Sequence, residues 1–341
     1  MNAPGLAIHA TGLVTSVGSS APAACAAMRA KVSNPSETRF ADSAGEWILA
    51  HQVTLEHPWR GLKRLEQMAA MAIEEALVAL PKAEWATIPL LLCVAERERP
   101  GRAAGLDDKL FDGIRNALDT RFDAASGVIA RGRVGVAVAL VQARELLHRG
   151  AQRVLIAATD SLLGWSTLRH YDQAGRLLTQ ANSNGFMPGE GAGALLVGRP
   201  SGNGDQLVCR GIGFGVEHAH VDSDEPLRAD GLVMAIRNAL SEAGSAMHDM
   251  DYRITDLSGE QYYFKEAALA LARLLRQRKE DFDLWHPAEC LGEAGALAGA
   301  AVVALADAAC RKGYSKGPNI LAHLAGDAGQ RAALALRFGS T

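Results

Sequence analysis

The sequence carries almost no excess of either charge. Its 35 Lys and Arg residues stand against 38 Asp and Glu residues, which gives a formal net charge of −3. Because these charges are scattered along the chain, no basic surface large enough to hold nucleic acid or an anionic membrane is expected. Long apolar runs are also missing, and the first residues show no basic segment followed by an apolar one. We therefore predict a cytoplasmic protein with no nucleic-acid partner and no membrane partner.

Cysteine is scarce, and its spacing argues against a disulfide framework or a zinc site. Only five cysteines occur and no two form a Cys-x-x-Cys pair, which favours reduced thiols. A nucleotide-binding loop is missing as well, because the Gly-rich run 189–193 is followed by Ala194 where the dinucleotide pattern needs glycine. The His and Asp residues of 218–224 could bind a divalent metal, but a polar loop with solvated side chains is the favoured interpretation. We predict no cofactor and no metal.

Segments with helix and strand periodicity alternate along the chain, which is typical of an α/β protein. Hydrophobic residues make up 48% of the sequence and charged residues 21%, as in ordinary globular proteins. The first series is predicted to contain helices over 62–80 and 134–147 and strands over 88–94, 154–158 and 194–197. The helix over 134–147 is apolar on nearly every side up to Arg144, so we expect it to be buried inside the domain.

A loop rich in Pro, Ser, Gly and Asn at 200–205 precedes a second, similar series of elements. Strands are predicted over 206–211, 252–255, 320–324 and 332–336, and helices over 230–243, 263–276 and 295–309. We therefore predict two similar halves, residues 1–200 and 206–341, joined in one compact unit. Small residues in the helix over 295–309 allow close packing, so this helix is expected to lie between two sheets.

Five segments of the chain resemble blocks of a known family. They are TGLVTSVG at 11–18, AATDS at 157–161, NGFMPGEGAG at 184–193, LGEAGALAG at 291–299 and GDAGQRA at 326–332. Taken in order, they resemble the β-ketoacyl synthase branch of the thiolase-fold superfamily over essentially the entire chain. The resemblance implies a five-layer α/β/α/β/α fold. It also implies a family chemistry that condenses acyl chains with one Cys and two His residues.

The resemblance places other residues at every catalytic position of the family, so it implies a catalytically degenerate member. These positions are Arg133, or a residue next to it, for the Cys, Leu257 or Ser258 for the first His, Glu293 for the second His and Asp327 for the gating Phe. In addition, Ala288 stands where the family has a lysine. A guanidinium is no nucleophile, and a carboxylate repels a developing enolate. We therefore predict that condensation activity is absent.

These losses favour a non-catalytic accessory or scaffold protein that binds a protein partner. The blocks at 256–260 and 286–292 resemble compact degenerate synthases encoded beside effectors of bacterial type VI secretion, which implies a secreted effector as the partner. An alternative is a chain-length-factor-like partner of an active synthase in fatty-acid or polyketide synthesis, with an acyl carrier protein as a further partner. Another alternative is an enzyme with a repurposed acyl pocket that uses Asp256, Glu260 or Glu293 as acid or base.

Further expectations concern ion pairing and assembly. The resemblance brings Arg133 and Glu293 to one site, where an unpaired charge would carry a desolvation penalty, so a buried ion pair is predicted. The guanidinium would then lower the pKa of Glu293, and side chains would fill the former reaction chamber.

The family implies a homodimer or a heterodimer with a ketosynthase-like homologue, with its sheet continued across the dimer axis by the strand before Asp160. The charged run 96–99 is expected to form a solvated loop.

Overall fold

The computed structural model describes residues 5–202 and 204–340. Strands and helices alternate along these residues. The strands are β1 (Leu6–Val14), β2 (Ser36–Ala41), β3 (Trp47–Ala50), β4 (Leu90–Val94), β5 (Gly127–Ala130), β6 (Arg153–Ser161), β7 (Glu190–Gly198), β8 (Asp205–Val216), β9 (Tyr252–Thr255), β10 (Leu284–Trp285), β11 (Asn319–Ala325) and β12 (Gln330–Ser340). The helices are α1 (Ala21–Arg29), α2 (Gly61–Leu77), α3 (Lys82–Trp85), α4 (Lys109–Ala117), α5 (Gly135–His148), α6 (Trp165–Gln173), α7 (Asp230–Ala243), α8 (Gln261–Leu274), α9 (Ala288–Leu291) and α10 (Leu297–Arg311).

Ten strands are linked by hydrogen bonds in the order β10-β9-β11-β12-β8-β1-β7-β6-β4-β5. This order contains the same arrangement twice. In the first five-stranded group, β7 pairs antiparallel with β1 and β6, and β4 pairs parallel with β6 and β5. In the second group, β12 pairs antiparallel with β8 and β11, and β9 pairs parallel with β11 and β10. The groups meet where β1 and β8 pair over three positions, from Leu6–Cys209 to Ile8–Leu207.

Two apolar helices lie between the two five-stranded groups. Residues of α5 and α10 belong to one buried cluster that also contains strand residues of both groups, such as Ile156 and Leu324. Glycine permits the closest approach, because a Cβ atom on Gly299 of α10 would lie 2.7 Å from the Cβ of Val136 on α5. Separate buried clusters hold α2 and α4 on one outer face and α7 on the other. The result is five layers, in which helices and strands alternate as predicted.

The structure corrects two of the sequence predictions. The helix predicted over 62–80 begins at Gly61 and ends at Leu77. The next residues form a turn, and the short α3 follows Pro81. The strand before Asp160 is β6, which pairs with β4 on one side and β7 on the other. An interior strand has no unpaired backbone groups to offer, so the prediction that it carries the sheet across a dimer axis is wrong. The edges of the large sheet are β5 and β10.

The predicted boundary at 200–205 follows the end of β7 at Gly198 and reaches the first residue of β8, Asp205. The division into residues 1–200 and 206–341 stays a prediction, and residues 1–4, 203 and 341 lie outside the described residues. Across the described ranges, no helix is both long enough and apolar enough to cross a membrane.

Candidate functional site

Arg133 lies where the chain enters the buried helix α5. A short 3-10 turn over Gly132–Val134 precedes the helix, and the φ of +50° at Gly132 is a left-handed conformation that glycine adopts without strain. This turn directs the guanidinium into the interior, where Arg133 is only 7% exposed. Its Nη1 donates to Oε2 of Glu293 at 3.0 Å, so the predicted buried ion pair is confirmed.

Glu293 lies in the loop between α9 and α10, and other groups of the chain hold its carboxylate. The hydroxyl of Ser258 donates to Oε2 at 2.9 Å, and the backbone N–H of Gly295 donates to Oε1 at 3.0 Å. The residue is 7% exposed. Because both carboxylate oxygens accept hydrogen bonds from the protein, the position of Glu293 is fixed by three donors.

Asp327 links Arg133 to a second arginine that the sequence did not single out. It lies in the turn between β11 and β12 and accepts hydrogen bonds from Arg133 and from the hydroxyl of Tyr263, the latter at 2.6 Å. Arg176, in the loop after α6, donates to Asp327 Oδ2 at 2.8 Å and makes a two-point contact with Glu260 at 2.7 and 2.9 Å. We name Arg133, Arg176, Glu260, Tyr263, Glu293 and Asp327 the central ion network.

Burial and the nearby charges shift the pKa values of the carboxyl groups in this network. Asp256 adds a further carboxylate, with Oδ2 lying 3.9 Å from Nε of Arg133. Burial raises the pKa of both Glu293 and Asp256, and the opposing effect of Arg133 does not cancel it. The prediction of a lowered pKa for Glu293 is therefore wrong, because burial outweighs the effect of a guanidinium that three carboxylates share. Although burial alone would raise the pKa of Asp327, Arg133 and Arg176 lower it well below its usual range.

A cavity of about 300 Å³ remains open beside the network. Its lining includes Arg133, Glu293 and Asp327 together with His170 and the half-buried His220. The prediction that side chains fill the former chamber is therefore wrong. The charged side chains of Arg133, Glu293 and Asp327 in its lining are a poor environment for an apolar acyl chain.

The remaining positions singled out by the sequence separate into two groups. Ser258 joins the site through its hydrogen bond to Glu293, whereas Leu257 turns away and packs in a small apolar cluster with Tyr263, Ala267 and Ala325. Ala288 begins the short helix α9 and contributes no side-chain donor to the network. The structure thus brings Arg133, Ser258, Glu293 and Asp327 together and leaves the other two positions outside.

No cysteine replaces the missing nucleophile at this site within the described chain. Cys93 on β4 is near the start of α5, since a Cβ atom on Gly135 would lie 3.7 Å from its Sγ. The thiol is fully buried, and burial raises its pKa far above the ordinary value. A thiol in this state is protonated and inert as a nucleophile.

The prediction of a solvated loop over 96–99 holds for Arg97 and Glu98, which are exposed, but is wrong for Arg99, which is buried, and for Glu96, which is half-buried. Arg99 is almost fully buried and donates to Asp160 at 2.7 Å and to Glu96 at 2.6 Å. Asp160 in turn accepts from the backbone N–H of Ala296, just before α10. Sequence spacing gave no signal for the pairing of Arg99 with Asp160, because the two residues are 61 positions apart.

A metal centre finds no support in the described part of the chain, where no three His, Cys, Asp or Glu residues converge as a potential ligand set. This includes the His and Asp residues of 218–224. The side chain of Asp222 is exposed, and those of His218 and Asp224 are exposed as well.

Comparison with solved structures identifies the fold. A ketosynthase/chain length factor structure for ishigamide aligns with a TM-score of 0.78 and 16% identity over 98% of this chain and 99% of that chain. A ketosynthase in complex with its chain length factor from Xenorhabdus doucetiae gives 0.78 and 14% over 98% of both chains. The chain has the thiolase fold of the β-ketoacyl synthases. A β-ketoacyl synthase from Burkholderia phymatum agrees, with a TM-score of 0.72 and 14% identity over 98% of this chain and 99% of that one.

The ketosynthase resemblance and the predicted fold class are thereby confirmed. No protein-family model matches the sequence, and no curated protein matches it either. At these low identities the likeness to ketosynthases establishes the fold, and the chemistry must be argued from the residues of the central ion network.

Proposed function

We propose that this chain is a non-catalytic ketosynthase-like accessory protein that acts by binding a protein partner. The observation that carries the proposal is the state of Arg133, which stands before α5 and is held by Glu293, Asp327 and Tyr263. A guanidinium stays protonated and cannot attack a thioester. The carboxylates around it would oppose the negative charge that develops in a condensation.

The partner we propose is a second ketosynthase-like chain, either another copy or a homologue. Support comes from the structural neighbours, two of which are described as a ketosynthase with its chain length factor. A chain-length-factor-like role beside an active synthase fits the lost nucleophile, and an acyl carrier protein is then a further partner. Light scattering should give the mass of a dimer, alone or after mixing with such a homologue; a monomer under both conditions contradicts this assignment.

The predicted link to a type VI secretion effector rests on the blocks at 256–260 and 286–292 alone. It stays a prediction, as does the cytoplasmic location. Affinity purification from the native cell, followed by mass spectrometry, distinguishes the partners. A ketosynthase or carrier protein among the co-eluting proteins supports the synthase role, and a secreted effector supports the secretion role.

Loss of nucleophilic chemistry is tested with acyl thioesters. We expect no covalent adduct in the intact mass after incubation of the purified protein with hexanoyl-coenzyme A at pH 8. An active ketosynthase treated in parallel provides the positive control. An added acyl group on the native protein, mapped by peptide digestion to Arg133 or a neighbouring residue, would contradict the proposal.

A second candidate function is an enzyme that uses Glu293 as acid or base. A specific observation favours it, because the pKa of Glu293 is raised by burial and the residue lines the open cavity. Against it, Arg133, Ser258 and Gly295 already occupy both carboxylate oxygens. Incubation of the protein with a metabolite extract tests it. A compound consumed by the native protein but not by Glu293→Gln would support the enzyme.

A further inference from the structure

A second cavity, of about 480 Å³, lies outside the central ion network. Its walls come from the start of α2, the loop between β4 and α4, and the start of α6. Arg99 contributes to the walls of both cavities, but none of the network residues lines the second one. We name it the arginine cavity, because Arg39, Arg60, Arg64, Arg99 and Arg102 all line it.

Three of these arginines are neutralised by carboxylates of the chain. Arg64 pairs with Glu190, Arg99 with Asp160 and Glu96, and Arg102 with Asp107 at 2.8 Å. These three arginines therefore have four carboxylate partners, and none of the three carries an unbalanced positive charge. Their ion pairs hold the walls of the cavity in place.

Arg39 and Arg60 are different. Neither has a carboxylate within salt-bridge distance among the residues described, and both are exposed at the rim of the cavity. The guanidinium of Arg39 lies 4.9 Å from the ring centre of Phe40. Two cations without a carboxylate partner among the described residues therefore line one concave space, and an anion would satisfy both.

The rest of the cavity wall is apolar or carries backbone donors. Trp59, Leu65, Leu106 and Leu163 line it. Helix α2 starts at Gly61 in the same wall, with no side-chain cap and no acidic residue in its first turn. Its free N–H groups add donors for an anion to those of the arginines.

We propose that the arginine cavity binds a small organic phosphate with an apolar body. Two guanidinium groups and the N–H groups of one helix end favour a phosphate, with three free oxygens and up to two negative charges, over a carboxylate, with two oxygens and one charge. The apolar residues, with the flat face of Trp59, suit the body of the ligand. This site is separate from Arg133, and its ligand does not depend on the accessory role proposed above.

Calorimetric titration of the full chain with phenyl phosphate tests the proposal, with inorganic phosphate and benzoate as comparison probes. We expect phenyl phosphate to bind saturably and more tightly than either. The double variant R39A/R60A should weaken binding by roughly tenfold or more, since each arginine provides a charge-assisted hydrogen bond. The matched control is R210A/R237A, which removes two exposed arginines elsewhere and should leave the affinity unchanged.

A further variant, Trp59→Ala, distinguishes the contribution of the apolar body of the ligand from that of its phosphate group. It should weaken binding of phenyl phosphate and leave that of inorganic phosphate unchanged. Absence of saturable phenyl phosphate binding would overturn the proposal, and so would equal affinity in the native protein and R39A/R60A. Benzoate binding as tightly as phenyl phosphate would overturn the phosphate assignment.

Discussion

Replacing Arg133 with methionine is expected to destabilise the protein by about 3 kcal/mol at pH 8. Removal of one partner from a buried ion pair typically costs 3 to 5 kcal/mol, because the opposite charge stays buried. Here Asp327 keeps Arg176 as a partner, so the lower end of that range applies. Glu293 and Asp256 lose the guanidinium that lies 3.0 and 3.9 Å from their carboxylates. Methionine fills much of the vacated space without a new polar group.

The destabilisation should depend on pH, and its sign follows from the raised pKa values. A carboxyl group whose pKa is higher in the folded than in the unfolded state stabilises the fold below its unfolded pKa. That stability is lost as the pH rises through the folded pKa. Without Arg133 the pKa of Glu293 should rise further, so the variant should be less impaired at pH 5 by about 1 to 2 kcal/mol.

Urea denaturation at pH 8 and pH 5 measures both effects. Arg131→Met is the matched control, since Arg131 lines the same cavity but is exposed, and its replacement should change the stability by no more than about 0.5 kcal/mol. A cost below about 1 kcal/mol for Arg133→Met at pH 8 would refute the reasoning. An equal cost at both pH values would show that the buried carboxylates left without Arg133 are not the origin of the cost.

Three further predictions concern single charges near the site. Glu293→Gln should cost about 1 to 2 kcal/mol in urea melts at pH 7, less than is typical of a broken buried ion pair, because burial already penalises the charged form and Arg133 keeps Asp327 as a partner. Asp327→Asn should cost roughly 2 kcal/mol at pH 7. In stability curves from pH 7 to 3 the native advantage should stay constant down to about pH 5 and shrink below the unfolded pKa of about 3.9, because the unfolded chain takes up a proton that folded Asp327 resists. Arg99→Met should cost roughly 3 to 5 kcal/mol in thermal or urea unfolding, whereas Arg97→Met, at a side chain 73% exposed, should be nearly neutral.

Local sequence patterns determined most of the elements of the fold. The helix at Asp230–Ala243 and the strand at Tyr252–Thr255 match their predicted bounds, because apolar spacing along a segment directly reflects which face is buried. The burial of α5 followed from the absence of a polar face before Arg144. The pairing of Arg133 with Glu293 followed from two opposite charges at positions that the family brings together.

Tertiary structure alone decided how the central ion network is completed. Arg176, Glu260 and Tyr263 come from a loop, a helix cap and a helix start that no sequence period relates to Arg133. The pKa of Glu293 depends on how many carboxylates share one guanidinium and how much water reaches them. Such quantities arise from packing between distant segments, whereas sequence periodicity records only which residues of one segment face the core.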